Sequence, residues 1–445
     1  MTNDSQLGRT LGFRDLLMLI IGTVIGSGIF LVPGPVLRNV HARPGLAMLV
    51  WISGGVLSLM GALTYGELSA MRPDAGGLYV YIRECFGGLA GFLYGWVLFF
   101  LISSGSVATL AVGFGTYFDQ IVPVGALGVK LIAIAMIAVV AFINVRGTRN
   151  SANVQNAATA FKIAAIIVMA TVLMLFGRRH TEVPAAMTYT SSLISGFGVA
   201  MIAVLWAYEG WQYCTFSAGE TIDPQRNFPR AFLAGSVALI AIYIFANLGY
   251  LAALGAQGAA AANGVAAVAT RSVLGRAGSW LISSAILISM FSAANGLTLT
   301  SPRVYYAMAR DGVFFRKLAE VHPRFHTPAV AIICGSLWAM LLAATGTFEQ
   351  LLTYVVFSGW IFYGLGAAAV FVYRRRLPNA ARPYRVPGYP ATPMIFIAAA
   401  AVLVLNTIYA QPMRALIGIA LVFLGVPAYM IWRSRRTALA TSYEH

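Results

Sequence analysis

Three short stretches interrupt an otherwise apolar chain with groups that can hold a ligand. Ile20 to Phe30 reads I-I-G-T-V-I-G-S-G-I-F, with Gly22, Gly26 and Gly28 among β-branched residues and Pro33 and Pro35 just beyond. Glycine and proline are the poorest helix formers, so the stretch is expected to unwind, although glycine in membrane helices also serves plain close packing. Trp206 to Trp211 reads W-A-Y-E-G-W and sets a carboxylate, Glu209, and a glycine, Gly210, among three aromatic residues. A carboxylate in a membrane-length apolar run costs about 2.5–3.5 kcal/mol on insertion scales. Such a group either works on a ligand or pairs locally. Lys162, in T-A-F-K-I-A-A-I-I-V, is the third. It either snorkels to the interface or sets an ammonium against the first break, where its charge stands in for a bound cation or its proton comes and goes.

The chemistry of an unwound helix is specific. N–H groups at the start of the resumed half-helix have no partner one turn back, and that end carries partial positive charge. It attracts a carboxylate. Carbonyls at the end of the preceding half accept hydrogen bonds from an ammonium. A zwitterionic α-amino acid supplies both groups, and its side chain then lies near Trp206 and Tyr208.

The elements that must position these groups are membrane helices. The 445 residues are 59% hydrophobic and only 10% charged, against about 25% charged in soluble domains, and the mean hydropathy is +0.78. A bilayer core of about 30 Å needs about 20 apolar residues per crossing. That ruler gives twelve segments, at 15–38, 45–70, 87–118, 126–144, 156–176, 190–216, 231–254, 278–308, 328–346, 350–373, 393–411 and 414–432. The Ala/Gly-rich stretch from Gly255 to Gly264 is expected to be an outer loop with a short helix. Of 30 Lys and Arg residues, 21 fall on one side of this arrangement and 8 on the other, with Lys162 in the membrane. The excess belongs on the inner side, which puts both termini in the cytoplasm. The first break lies in helix one and the second in helix six, five helices later, so the second half is inverted relative to the first. Paired broken helices in inverted halves point to a secondary transporter with its site at the midplane.

Other classes fit less well. The net charge of +16 sits in short clusters between apolar runs, with no basic face or arm for a nucleic acid. Cys85, Cys214 and Cys334 are scattered and have no metal-ligand spacing. The polar Met1 to Thr10 followed by a long apolar run does not read as a cleavable signal. A channel needs rings of charge or filter carbonyls. A membrane enzyme needs convergent catalytic groups, whereas His41, His180, His322, His326 and His445 fall in loops or at the terminus; Pro323 lies inside the only close histidine pair. No cofactor or metal site is read from the sequence.

The motifs resemble the amino acid–polyamine–organocation permeases, and within them the L-type amino acid transporter branch and its bacterial relatives. The resemblance rests on G-S-G-I-F at Gly26 to Phe30, P-D-A-G-G-L-Y-V-Y at Pro73 to Tyr81 and W-A-Y-E-G-W at Trp206 to Trp211. It also rests on G-E-T-I-D-P-Q-R-N-F-P-R-A at Gly219 to Ala231, Asn295–Gly296 followed by Arg303, and R-P-Y-R-V-P-G at Arg382 to Gly388. It covers nearly the whole chain and implies an all-α membrane fold of twelve helices in one domain over 1–445. The implied core is a five-plus-five inverted repeat, 15–176 and 190–373, with two accessory helices at 393–432.

The resemblance implies a substrate site along Val24, Ile25, Gly26, Ser27 and Gly28 and along Trp206, Ala207, Tyr208, Glu209 and Gly210. Ser27 and Gly28 would offer N–H groups to the carboxylate. The carbonyls of Val24, Trp206 and Glu209 would take the amino group, with Trp206 as an aromatic gate. Lys162 would replace a sodium ion of related transporters and bridge helix one to helix eight near Ser292 and Asn295. The blocks at Pro73–Tyr81, Pro224–Arg230 and Arg382–Gly388 would shape loops and gates. The implied activity is sodium-independent amino acid exchange in the inner (plasma) membrane; proton symport and cationic amino acid or polyamine transport are the alternatives. Animal relatives join a heavy chain through an extracellular cysteine after helix three. Asp119 to Gly128 contains none, so no covalent heavy-chain partner is expected.

Overall fold

The computed structural model describes residues 7–177, 192–345, 348–410 and 412–442. Arg178, Arg179, His180 and His445 lie outside the described residues, as do the side chains of Arg414, Arg435 and Arg436. The described residues are helical or irregular, with one isolated bridge between Leu11 and Thr221 and no strand. Among the described residues, ten helical spans are long and apolar enough to cross a membrane: Phe13–Leu31, Pro44–Met71, Gly88–Asp119, Gly125–Val145, Thr148–Phe176, Leu193–Glu220, Pro224–Ala261, Val265–Arg310, Ala391–Tyr409 and Ala415–Arg433. Ala329–Thr345 is a shorter apolar helix, and Phe348–Arg376 is a helix of 29 residues.

Several boundaries differ from the sequence expectation, each for a local reason. The first segment is three pieces, Phe13–Val24, Gly28–Leu31 and Pro33–Asn39. The Gly255 to Gly264 stretch, expected as a loop with a short helix, is a break at Gly255 (φ +66) followed by a short helical run to Ala261 and a non-helical turn. A short helix from Val265 precedes the eighth crossing and breaks at Gly275, φ +61, after which helix runs to Thr300. The last segment is two helices, Pro412–Phe423 and Gly425–Ser442.

Apolar side chains face both inward and outward, as they do in a lipid solvent. Gly125–Val145 buries few residues and exposes Leu127, Leu131, Val139 and Phe142. The inner helices approach through small residues, as membrane helices do. A Cβ on Gly249 would meet the Ala170 backbone at 2.9 Å, and one on Gly235 would meet Ile20 Cγ2 at 2.9 Å. Phe13–Val24 packs against Thr148–Phe176, Pro224–Ala261 and Val265–Thr300, so the first interrupted helix is held at the centre of the bundle.

Charged groups lock the connections. Arg303 is fully buried and meets Glu220, also buried, at 2.5 Å and 3.0 Å; both bond Thr148 Oγ1. This joins the start of Thr148–Phe176, the end of the 3-10 segment Trp211–Glu220 and the start of Pro302–Arg310. The Glu220 carbonyl accepts from the N–H groups of Thr10 and Leu11. Asp15 accepts two bonds from Arg149 and one from Asn156. Glu67 takes a two-bond contact from Arg374 and the N–H of Val386, which fixes the Arg382–Gly388 block. Within the Pro73–Tyr81 block, Gly77 (φ +41) lies so close to Thr215 that a Cβ would sit 2.5 Å from its carbonyl oxygen.

Candidate functional site

The two interruptions meet. The first helix ends at Val24, and Ile25 leaves helical geometry at ψ 89. Helix resumes at Gly28, so the N–H groups at its start have no carbonyl one turn back. The second interruption follows Ala207; Gly210 takes φ 131, and a 3-10 segment continues from Trp211 to Glu220. A Cβ on Gly28 would lie 2.9 Å from Ala207 Cβ, 3.0 Å from its Cα and 3.7 Å from the Trp206 ring. A Cβ on Gly210 would lie 2.8 Å from the Thr23 carbonyl group. Only glycine at both positions lets the backbones approach this closely.

Side chains hold the interruptions together. Thr23 Oγ1 bonds the Gly210 carbonyl at 3.0 Å. The Tyr243 hydroxyl lies 2.9 Å from the Ala207 carbonyl and 3.2 Å from the Val24 carbonyl, so one hydroxyl serves the C-terminal ends of both half-helices. Gln212 Oε1 accepts from Gly210 N–H. The Trp206 carbonyl accepts from Glu209 N–H.

Lys162 is fully buried. Its ammonium donates to the carbonyls of Gly22 and Ile25, both at 2.7 Å, and lies 3.4 Å from that of Ser289. The three donors of an ammonium are thus aimed at three carbonyls. Ser289 Oγ reaches the carbonyls of Ile25 and Gly26, both at 2.9 Å. The link from helix one to the Val265–Thr300 helix therefore runs through Ser289. Ser292 and Asn295 lie further along that helix. Ser292 Oγ faces Thr159 Oγ1 at 3.5 Å. Asn295 joins Asn144, Ser151 and Gln155 in a buried amide network.

A cavity of about 80 Å³ opens between the interruptions. At 10–15 Å³ per water it has room for about six water-sized groups. Val24, Gly26, Ser27, Gly28, Trp206, Ala207, Glu209 and Gly210 line it. Ile25 and Tyr208 do not. The Ile25 carbonyl is turned to Lys162 and Ser289, and the Tyr208 ring packs on Tyr243 at 4.8 Å and Trp51 at 6.0 Å. The helix stops between Ala207 and Tyr208, so their side chains part. Glu209 Oε1 accepts from the Tyr363 hydroxyl at 2.9 Å, while Oε2 is buried with no partner.

The cavity also takes Thr23, Ser106, Thr109, Leu110, Tyr213, Ala293 and Leu297. Ser106 and Thr109 bond their own helix carbonyls at Ile102 and Gly105, beside a π turn at Leu98–Ile102. Such turns often accompany functional sites, but no sequence signal marks this one. The His322–His326 pair is a turn: His322 Nδ1 accepts from the N–H groups of Arg324 and Phe325.

The chain is similar to known amino acid carriers along nearly its whole length. The amino acid permease family model matches residues 11–429. The serine/threonine exchanger SteT of Bacillus subtilis (strain 168) is 33% identical over 98% of this chain and all of its own length. The large neutral amino acids transporter small subunit 2 of Rattus norvegicus is 32% identical over 96% of this chain and 81% of its own. The human cystine/glutamate transporter is 31% identical over 96% and 86%. By name these relatives are amino acid exchangers and transporters, not enzymes.

Proposed function

Because the chain belongs to the amino acid permease family, we propose that it carries α-amino acids across the membrane by alternating access, exchanging one for another without sodium. The observation that carries this reading is the meeting of the two interruptions across one cavity. The carboxylate binds the N–H groups of Ser27 and Gly28 at the start of the resumed helix. The ammonium binds the carbonyls of Val24, Trp206 and Glu209, and Trp206 closes over the substrate. Room for about six water-sized groups suits a small amino acid, and one of the relatives is a serine/threonine exchanger.

Lys162 supports sodium independence. Its ammonium already fills the cage of Gly22, Ile25 and Ser289 carbonyls in which a cation would sit. Ser292 and Asn295 extend this coupling region toward the amide network. On this reading Ala329–Thr345 and Phe348–Arg376 are also crossings, which makes twelve in one transporter domain. The halves 15–176 and 190–373 form an inverted repeat followed by the two accessory helices. The charge bias supports cytoplasmic termini in the inner (plasma) membrane. The absence of cysteine between Asp119 and Gly128 argues against a covalent heavy chain.

Glu209 favours a second reading. A buried carboxylate oxygen that faces the cavity without a partner suits a bound proton or a cationic substrate. That would make the protein a proton-coupled symporter, or a cationic amino acid or polyamine permease. Uptake of labelled amino acids into sodium-free proteoliposomes separates these readings. Acceleration by internal unlabelled amino acid supports exchange, and acceleration by a proton gradient supports symport. Strong competition by arginine or putrescine, lost in Glu209→Gln, supports the cationic reading. No uptake under any of these conditions rejects amino acid transport.

A further inference from the structure

The first helix and Pro224–Ala261 run side by side, since a Cβ on Gly235 would meet both Ile20 and Leu17. Where the two begin, Arg9, Pro73, Asp223, Pro224, Gln225 and Arg226 line a chamber of about 460 Å³ at the surface. The substrate cavity holds about 80 Å³, so this chamber admits a group far larger than a single ion. Arg14, in the first turn of Phe13–Val24, and Arg230, one turn after Arg226, extend the charge along the two helices. All four arginines are exposed, and among the described residues none has a side-chain hydrogen bond or ion pair. Arg149, by contrast, is bound to Asp15. The carboxylates close by are Asp223 in the wall and Asp74 next to Pro73, so four positive charges face two negative ones. Phe13 and Ile222 are exposed apolar side chains at the same level, and Leu233 is exposed beyond Arg230.

We propose that this chamber binds the headgroup of an anionic phospholipid. Arginine grips phosphate oxygens with paired N–H groups, and Arg9 and Arg226 supply them from the two sides. Arg14 and Arg230 lie further along, where long basic side chains reach back to the headgroup level. Phe13, Ile222 and Leu233 offer the acyl chains an apolar surface that a soluble anion would not use. Basic residues at the end of membrane helices draw anionic lipids in this way. The bound lipid ties the beginning of the first helix to that of Pro224–Ala261, at a distance from the substrate cavity.

The test titrates the purified full chain, in uncharged detergent micelles, with phosphatidylglycerol or phosphatidylcholine and reads lipid retention by native mass spectrometry. It depends neither on transport nor on the direction of insertion. Phosphatidylglycerol is expected to bind at least about tenfold more tightly. Each arginine near an anionic lipid is worth about fivefold in affinity, so Arg9→Gln with Arg226→Gln should weaken phosphatidylglycerol about 25-fold and leave phosphatidylcholine unchanged. Arg9→Lys with Arg226→Lys, which keeps the charge, should retain most of the affinity. Arg316→Gln with Lys317→Gln, an exposed basic pair packed elsewhere, should change nothing. Equal binding of the two lipids overturns the proposal, as does an equal loss in the Arg316/Lys317 pair, which would report surface charge in general. Glycerol phosphate without acyl chains binding as tightly as phosphatidylglycerol would make this a site for a soluble anion and overturn the lipid assignment.

Discussion

Gly28→Ala is the sharpest perturbation of the proposed site. The added Cβ would lie 2.9 Å from Ala207 Cβ and 3.0 Å from Ala207 Cα, with the Trp206 ring at 3.7 Å. The first distance is shorter than real carbon contacts and the second is tighter than most, so the interruptions must separate. Overpacking of this kind costs about 1–3 kcal/mol. If it falls on the substrate-bound arrangement, affinity drops about 5- to 150-fold. Half of the clash is with the Ala207 methyl, so Gly28→Ala combined with Ala207→Gly should recover part of the loss. Coupling of this size is expected between residues in contact. Ala207→Gly alone costs about 1 kcal/mol of helix propensity and serves as the control. Half-saturation for uptake and the binding constant on purified protein are the readouts. Wild-type affinity in Gly28→Ala, or a double variant no better than the single one, would falsify the claim that the two interruptions form one site.

Other substitutions test separate parts of the account. Lys162→Met keeps the length and removes two donors at 2.7 Å. Bonds from a charged group are worth about 1.5–3 kcal/mol each, so uptake should be lost and the melting temperature should fall; retention of both contradicts the role given to the ammonium. Glu220→Gln leaves Arg303 a buried charge without its carboxylate, a loss of about 3–5 kcal/mol. Thermal denaturation should show the drop, and Thr148→Ala, which removes bonds to both charged partners, should lower stability as well. Tyr363→Phe takes away the donor to Glu209 Oε1 and leaves both carboxylate oxygens bare. It should weaken binding about tenfold and more than Glu209→Gln does, which keeps a polar group against Tyr363. The reverse order would mean that the Glu209 carboxylate itself contacts the substrate, as the cationic reading has it.

The features legible in the sequence are those that violate membrane composition. The glycines in Ile20 to Phe30 stand out as a cluster of helix breakers, and the carboxylate at Glu209 and the ammonium at Lys162 because charge is costly in a membrane helix. Their partners do not stand out. Tyr243, Ser289 and Tyr363 look like ordinary helix residues, and only packing brings their hydroxyls to carbonyls and a carboxylate of other helices. Ser106, Thr109 and Leu297 reach the cavity by helix rotation, which hydropathy does not encode. Tyr208 shows the limit within a motif: the break between Ala207 and Tyr208 turns its ring to Tyr243 and Trp51. The short helix from Val265 to the break at Gly275 lies outside the expected crossing, because Arg271 and Arg276 interrupt the apolar run there.

The central claim is that the interrupted helices bind the α-carboxylate and the α-ammonium of one substrate together. Its most direct test uses serine and its two truncated analogues as competitors of labelled serine uptake in proteoliposomes. Ethanolamine lacks the carboxylate and 3-hydroxypropanoate lacks the ammonium, and both keep the hydroxyl. The account predicts that serine competes and that each analogue is at least about a hundredfold weaker, since each loses charge-assisted bonds worth about 1.5–3 kcal/mol apiece. Either analogue competing as well as serine would contradict it.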